Sequence, residues 1–331
     1  MSPDEPEVPA AAPRPGGSVF TIEGRAAPGL FVVAWLASIL GLALALVGAL
    51  AGSSLLVYFI GPFLLSVGLI AGAGNQALER RARGAAYAGP SPFLVLGAIV
   101  AVSYFVGAVL GFLLDASIGA AGIRVPAAVG QLIAGLLIAV VFIGVVRLVV
   151  VGTGALSWAE MGIRRPDRQA LADLVSGAGL AVPTIGVTLI VAALLVGVFR
   201  VVGPSPLPPT GTFSGLLLQL LVGAIIAPIS EEIVFRGFAV TAWSRSIGQN
   251  QAIVRAALMF GLAHVVGIQA NSFGEAIGLI AVGMGTRLPV ALVLGWLFVR
   301  RRSIWAPIGL HATFNAVLLI LADVAIRTGA G

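Results

Sequence analysis

Nine runs of apolar residues, most of them about 20 long, leave this chain only one class of surroundings to fold in. They are Leu30–Ala51, Leu55–Gly74, Phe93–Leu114, Ala127–Val151, Leu174–Val198, Leu216–Phe235, Ala252–Ile268, Ala276–Val299 and Ile304–Ile326. A helix needs about 20 such residues to cross the hydrocarbon core. None of the runs shows the two-residue alternation of barrel strands, and in lipid a helix satisfies its own backbone hydrogen bonds. The expected fold is an all-α, polytopic transmembrane helical bundle of eight to nine spans. The eighth run contains Arg287 and Pro289, so it is expected to be broken or partly re-entrant, which would bring the total to eight. Composition excludes a soluble domain, since 59% of residues are hydrophobic and only 10% charged.

All 19 basic residues are Arg, giving a formal net charge of +6. Exclusive use of Arg fits the codon bias of a GC-rich bacterium, so a bacterial plasma membrane is the expected location. The arginines sit at the ends of apolar runs rather than in a basic cluster on a polar domain, which argues against a nucleic-acid partner. Twelve of them, at positions 14, 25, 80, 81, 83, 164, 165, 168, 245, 300, 301 and 302, fall in alternate connections, against Arg124, Arg200 and Arg327 on the opposite side. The positive-inside rule therefore predicts a cytoplasmic N-terminus and, with nine spans, a C-terminus facing outward. Cysteine is absent, so disulfides and thiol chemistry are excluded.

Residues 1–29 are rich in Pro, Ala and Gly without periodicity, and read as a disordered cytoplasmic tail. N-terminal transmembrane helices follow over 30–157, then a polar cytoplasmic connection over 158–173, then a C-terminal transmembrane unit over 174–331. The first half is rich in Gly and Ala, as expected for close helix packing in lipid, and carries little chemistry. No internal repeat is visible.

The second half places ionisable side chains inside apolar helices, where each costs several kcal/mol and marks a functional site by default. Three places stand out: Ser230-Glu231-Glu232-Ile233-Val234-Phe235-Arg236, then Phe260-Gly261-Leu262-Ala263-His264, then His311-Ala312-Thr313-Phe314-Asn315. His264 and His311 are the only histidines in the chain. The four-residue spacing puts Glu232 with Arg236, and His311 with Asn315, on common helical faces. Glu232 and Arg236 are expected to form a structural ion pair, and Phe260 to pack against the site. Counting depth from the basic ends brings two carboxylates, two imidazoles and an amide together from three helices. Asp115, Asp173 and Glu275 lie at run ends and are expected to be solvated, whereas Asp323 is expected to pair with Arg327. Arg287 finds no role from sequence.

The order Glu-Glu-x-x-x-Arg, Phe-x-x-x-His, His-x-x-x-Asn on separate apolar helices resembles the CAAX-protease and bacteriocin-processing family over roughly residues 214–326. The resemblance implies peptide-bond hydrolysis within the membrane, on a membrane-associated protein or peptide that is prenylated in some members. It implies that Glu231 and His264 activate a water, that His311 and Asn315 stabilise the oxyanion, and that Glu232 positions the water or holds Arg236. The spacing is not HExxH. Glu231, His264 and His311 can nonetheless be read as zinc ligands with one open position, although the route expected here needs no metal. Two other functions remain: a proton-coupled carrier using Glu231, Glu232 and His264 as a relay, and a non-catalytic scaffold or bacteriocin-immunity protein. A carrier has no use for the His311–Asn315 pair. Oligomeric state is not indicated by the sequence.

Overall fold

The computed structural model describes residues 24–122, 125–203 and 208–329. Among them the regular elements are all helical. In order they are α1 (Pro28–Ala51), α2 (Leu55–Ala82), α3 (Pro92–Ala121), α4 (Ala127–Val151), α5 (Arg168–Phe199), α6 (Phe213–Ile247), α7 (Gln249–Ala263), α8 (Phe273–Arg301) and α9 (Trp305–Thr328). All except α7 are long and apolar enough to cross a membrane, eight in total. The chain is an integral membrane protein built as an all-α polytopic bundle, as its apolar runs require. Of the tail expected over 1–29, residues 1–23 lie outside the described residues, as does Arg124, and α1 already begins at Pro28.

The run that falls short is the seventh, not the eighth. The 15 residues of α7 rise about 22 Å, less than the roughly 30 Å of a hydrocarbon core. Its last turn tightens: the amides of His264 and Val265 bond back three residues to the Gly261 and Leu262 carbonyls at 3.2 and 3.1 Å. Gly267 then takes the left-handed backbone, φ +84°, that a residue with a Cβ adopts at a cost. α8 has the expected break, with helical halves Phe273–Gly285 and Leu288–Arg301 separated at Thr286 and Arg287. Pro289 lacks the N–H that would continue the ladder.

α6 is longer than its apolar run because it continues through Arg236 to Ile247. It also contains two widened, π-helical stretches, Leu221–Ile226 and Ile233–Val240, on either side of Ala227–Glu232. Pro228 explains the first. It offers no amide to the carbonyl four residues back, so the preceding turn relaxes to five-residue bonding, as in the Ala227 N–H to Val222 carbonyl bond. The same device precedes Pro62 in α2, where Gly61 N–H reaches the Leu56 carbonyl.

One end of the bundle collects the arginine-rich connections. Arg81 on α2 hydrogen-bonds the Thr153 carbonyl after α4. Arg245 near the end of α6 bonds Glu160 at 2.7 Å, Trp305 at the start of α9 donates its indole N–H to the Arg164 carbonyl at 3.1 Å, and the Ala26 amide before α1 reaches Glu79 at 3.0 Å. α6 therefore arrives at this end, α7 leaves it and α8 returns to it, so α7 and the segment after it make the crossing between them despite α7's length. Asp173 departs from expectation. It is buried rather than solvated, because α5 begins at Arg168 and turns it toward Arg164 at 3.2 Å, Gln169 at 3.2 Å and Arg301 at 4.0 Å. Asp323 and Arg327 pair at 2.7 Å as expected.

Apolar side chains facing lipid gain nothing by leaving it, so close packing of small residues holds such helices together. Gly61 on α2 sits against Ala45 on α1, while on α5 and α9 a Cβ at Gly177 or Gly309 would overlap the carbonyls of Ala306 or Leu174. Large apolar side chains such as Leu36, Val140, Ile190 and Val198 are exposed on the outer surface, where a bilayer covers them.

Candidate active site

The α6 segment Ala227–Glu232 places Glu231 and Glu232 on neighbouring faces, and the two carboxylates meet different surroundings. Glu232 is fully buried. Its Oε1 accepts from Arg236 Nη1 at 2.9 Å and from His311 Nδ1 at 2.7 Å. Arg236, also buried, donates Nη2 to the Ala291 carbonyl on α8 at 3.3 Å and lays its guanidinium over the Phe260 ring, 4.7 Å from the centroid. The expected ion pair is thus present, with a third partner, His311, that spacing did not reveal. Glu231 faces a cavity of about 470 Å³. Its Oε2 takes no hydrogen bond from any described side chain.

Two imidazoles approach that oxygen. His264 Nε2 lies 4.0 Å from Glu231 Oε2, and His311 Nε2 lies 3.8 Å from it. Each ring is oriented from its far side. His264 Nδ1 contacts the Phe260 carbonyl at 2.8 Å, and a carbonyl can only accept, so that nitrogen carries the proton. Likewise His311 Nδ1 donates to Glu232. In their neutral forms both rings therefore turn a lone pair toward Glu231. A gap of about 4 Å between two acceptors is too long for a direct hydrogen bond and suits one bridging water.

Phe260 fills the angle between these groups. Its ring lies 4.5 Å from that of His264, 5.8 Å from that of His311 and 5.0 Å from Phe235, which fixes both imidazoles by packing. Asn315, one turn after His311 on α9, also lines the cavity, but its Nδ2 donates to the Gly223 carbonyl on α6 at 2.7 Å. One N–H of that amide is thereby used to tie α9 to α6, and one is left for a ligand. The structure thus brings together Glu231, Glu232, Arg236, Phe260, His264, His311 and Asn315.

Three further residues on the cavity wall escaped the motifs: Thr188 on α5, and Thr286 and Arg287 at the break in α8. Arg287 was visible in sequence as a charge in an apolar run, and the helix break explains its place. Nothing in the sequence around Thr188 distinguishes it from other lipid-span threonines.

Glu231 Oε2 and the two Nε2 atoms form the donor set expected of a zinc site, with oriented rings behind it. Tetrahedral zinc, with bonds of roughly 2.0–2.1 Å, needs its ligand atoms about 3.4 Å apart. The observed 3.8 and 4.0 Å exceed that. Among the described residues no group of three His, Cys, Asp or Glu is arranged to hold an ion. The donor types fit a metal, but their spacing does not.

Residues 213–317 match the family model described as Type II CAAX prenyl endopeptidase Rce1-like. The matched segment runs from the first residue of α6 into α9 and contains all three motifs. Neither comparison with curated proteins nor comparison with solved structures finds a match.

Proposed function

Because residues 213–317 match the Rce1-like type II CAAX prenyl endopeptidase family model, we propose that this chain is an intramembrane endopeptidase in which Glu231 and His264 activate the attacking water. The observation that supports this most directly is the position of Glu231 Oε2, facing the cavity 4.0 Å from His264 Nε2 and 3.8 Å from His311 Nε2. A water donating to Glu231 and His264 loses a proton to Glu231 as its oxygen bonds to the scissile carbonyl carbon. The carbonyl oxygen becomes an anion. The free N–H of Asn315 and a protonated Nε2 of His311 are the donors on hand to receive it. Glu232 accepts from Nδ1 and so orients the ring, and Arg236 donates to the same carboxylate oxygen. The proton on Glu231 then passes to the leaving amide nitrogen, the C–N bond breaks, and a carboxylic acid and an amine result.

The substrate on this reading is a membrane-associated protein or peptide entering the cavity from among the helices. No step is assigned to a metal, because the ligand spacing does not fit one. The positive-inside rule makes the arginine-rich end cytoplasmic, and with it the N-terminus. The reaction then belongs to the C-terminal unit 174–331, with α1–α4 as its support.

The test is cleavage by the purified full chain in nanodiscs against a proteome-derived peptide library. Glu231→Gln and His264→Ala should each lower turnover by about a hundred- to ten-thousandfold with elution and helicity unchanged. Undiminished cleavage by Glu231→Gln would remove it as the base, and pH-dependent uptake without cleavage would favour a carrier.

A further inference from the structure

The cavity holds a second charge that the water-activating groups do not use. Arg287 lines it together with Glu231, at the break between the two halves of α8. Its Nη1 donates to the Gly283 carbonyl one turn back at 2.7 Å. No carboxylate among the described residues lies within ion-pair distance of it. Arg236 shows what a structural arginine in this bundle looks like: it is held by Glu232, by the Ala291 carbonyl and by the Phe260 ring. Arg287 has one backbone acceptor and an open cavity.

Two features point the same way. Arg287 is the N-cap of the second half of α8, so the positive end of that helix adds to its charge at the cavity wall. Thr188 on α5, also on the cavity wall, contributes a buried hydroxyl that has no hydrogen-bond partner. The wall beyond is apolar, with Val290, Phe314, Leu318 and Leu319. A guanidinium with only Nη1 engaged, on a backbone carbonyl, in a cavity that also holds an unpartnered hydroxyl, is suited to receive a carboxylate.

We propose that Arg287 is the specificity-determining residue of this site and receives a carboxylate of the peptide to be cut, so that the preferred substrate presents an anionic group a short distance from the scissile bond. This rests on the endopeptidase reading for its meaning but not for its test. The carboxylate is either the peptide's own C-terminus or an acidic side chain near it.

Binding separates these. An apolar hexapeptide with an N-terminal fluorophore is prepared as the free acid, as the C-terminal amide, and as the amide with glutamate in the last position. Each is titrated by fluorescence anisotropy against wild type and Glu231→Gln in nanodiscs, with empty nanodiscs as the blank. The free acid should bind at least about tenfold more tightly than the plain amide. If a side chain is the true ligand, the glutamate amide takes that advantage instead. Arg287→Met should abolish the preference and Arg287→Lys keep part of it. The wild-type comparison of acid with amide stands even if Arg287→Met does not fold. Equal binding of all three peptides, absence of binding, or a preference that survives Arg287→Met overturns the proposal. So does an Arg287→Met variant that shifts only the pH profile of cleavage, the mark of a distant counter-charge to Glu231. Carboxylate-selective binding without cleavage would sink the endopeptidase reading alone, and cleavage indifferent to the carboxylate would sink this one alone.

Discussion

His311 and Glu232 share a hydrogen bond of 2.7 Å in the interior of the bundle, and the same carboxylate oxygen also accepts from Arg236. This joins α9 to α6 and turns the other nitrogen of His311 toward Glu231. Glu232 is therefore both a structural and an orienting residue. Glu232→Gln preserves the shape and an acceptor for Nδ1–H but removes the charge that pairs with Arg236. It should fold with turnover reduced by about a hundredfold or more, as when an oriented donor to the oxyanion is lost. Turnover equal to that of wild type would show that the charge has no such part.

Arg236 has the opposite vulnerability. Arg236→Ala leaves Glu232 buried and paired only with an imidazole, at a cost of about 3–5 kcal/mol. Most of the loss should appear as reduced folded yield in detergent, measured by size-exclusion chromatography, rather than as a changed rate in the protein that survives. Normal yield would mean that His311 alone compensates the carboxylate.

The helical content and the gathering of the motif residues were legible in the sequence because both rest on properties a sequence displays directly: run length, and charge placed where charge is costly. What stayed hidden depends on chain direction in three dimensions. The stop in α7 comes from bonding at Gly261 and Leu262 and from positive φ at Gly267, which hydropathy does not register. Asp173 reads as a run-end charge and is buried because α5 starts six residues earlier than its apolar run. The Glu232–His311 bond joins residues 79 apart in the chain, and no helical periodicity encodes it.

Close packing between α5 and α9 supports the site from behind. Gly309 lies two residues before His311, and a Cβ there would overlap the Leu174 carbonyl. Gly309→Ala should push α9 away, destabilising the fold by about 1–3 kcal/mol, the usual cost of overpacking. Cleavage should fall further than stability alone explains, because His311 rides on the displaced turn. A thermal-unfolding midpoint equal to wild type would show that α5 yields without strain.

The zinc question has a direct answer in solution. Ligand atoms 3.8 and 4.0 Å apart do not close around zinc as they stand, so dialysis against a strong chelator should leave cleavage and thermal stability unchanged. Elemental analysis of the purified chain should find less than stoichiometric zinc. Activity lost to chelation, restored by zinc, and accompanied by metal that His264→Ala cannot retain would show that the site tightens around an ion.

The last prediction concerns the end where the arginines gather. Glu160 accepts from Arg245 at 2.7 Å and from the backbone N–H and hydroxyl of Ser157, each at 2.7 Å. These bonds, with Arg245 the largest contributor, hold its carboxyl at about 2, against an ordinary value of 4.5. A carboxyl with a lowered value in the folded state releases its proton more readily there than in the unfolded chain. The stability it gives is therefore fully present above about pH 4.5 and is lost as pH falls toward about 2. The pair is partly exposed, so the effect is small and weakens with salt. In nanodiscs the thermal midpoint of wild type should drop through that window more steeply than that of Glu160→Gln, and the two curves should converge at the acid end. Parallel curves across the window would show that the Glu160–Arg245 contact does not hold the connection between α4 and α5 to the end of α6.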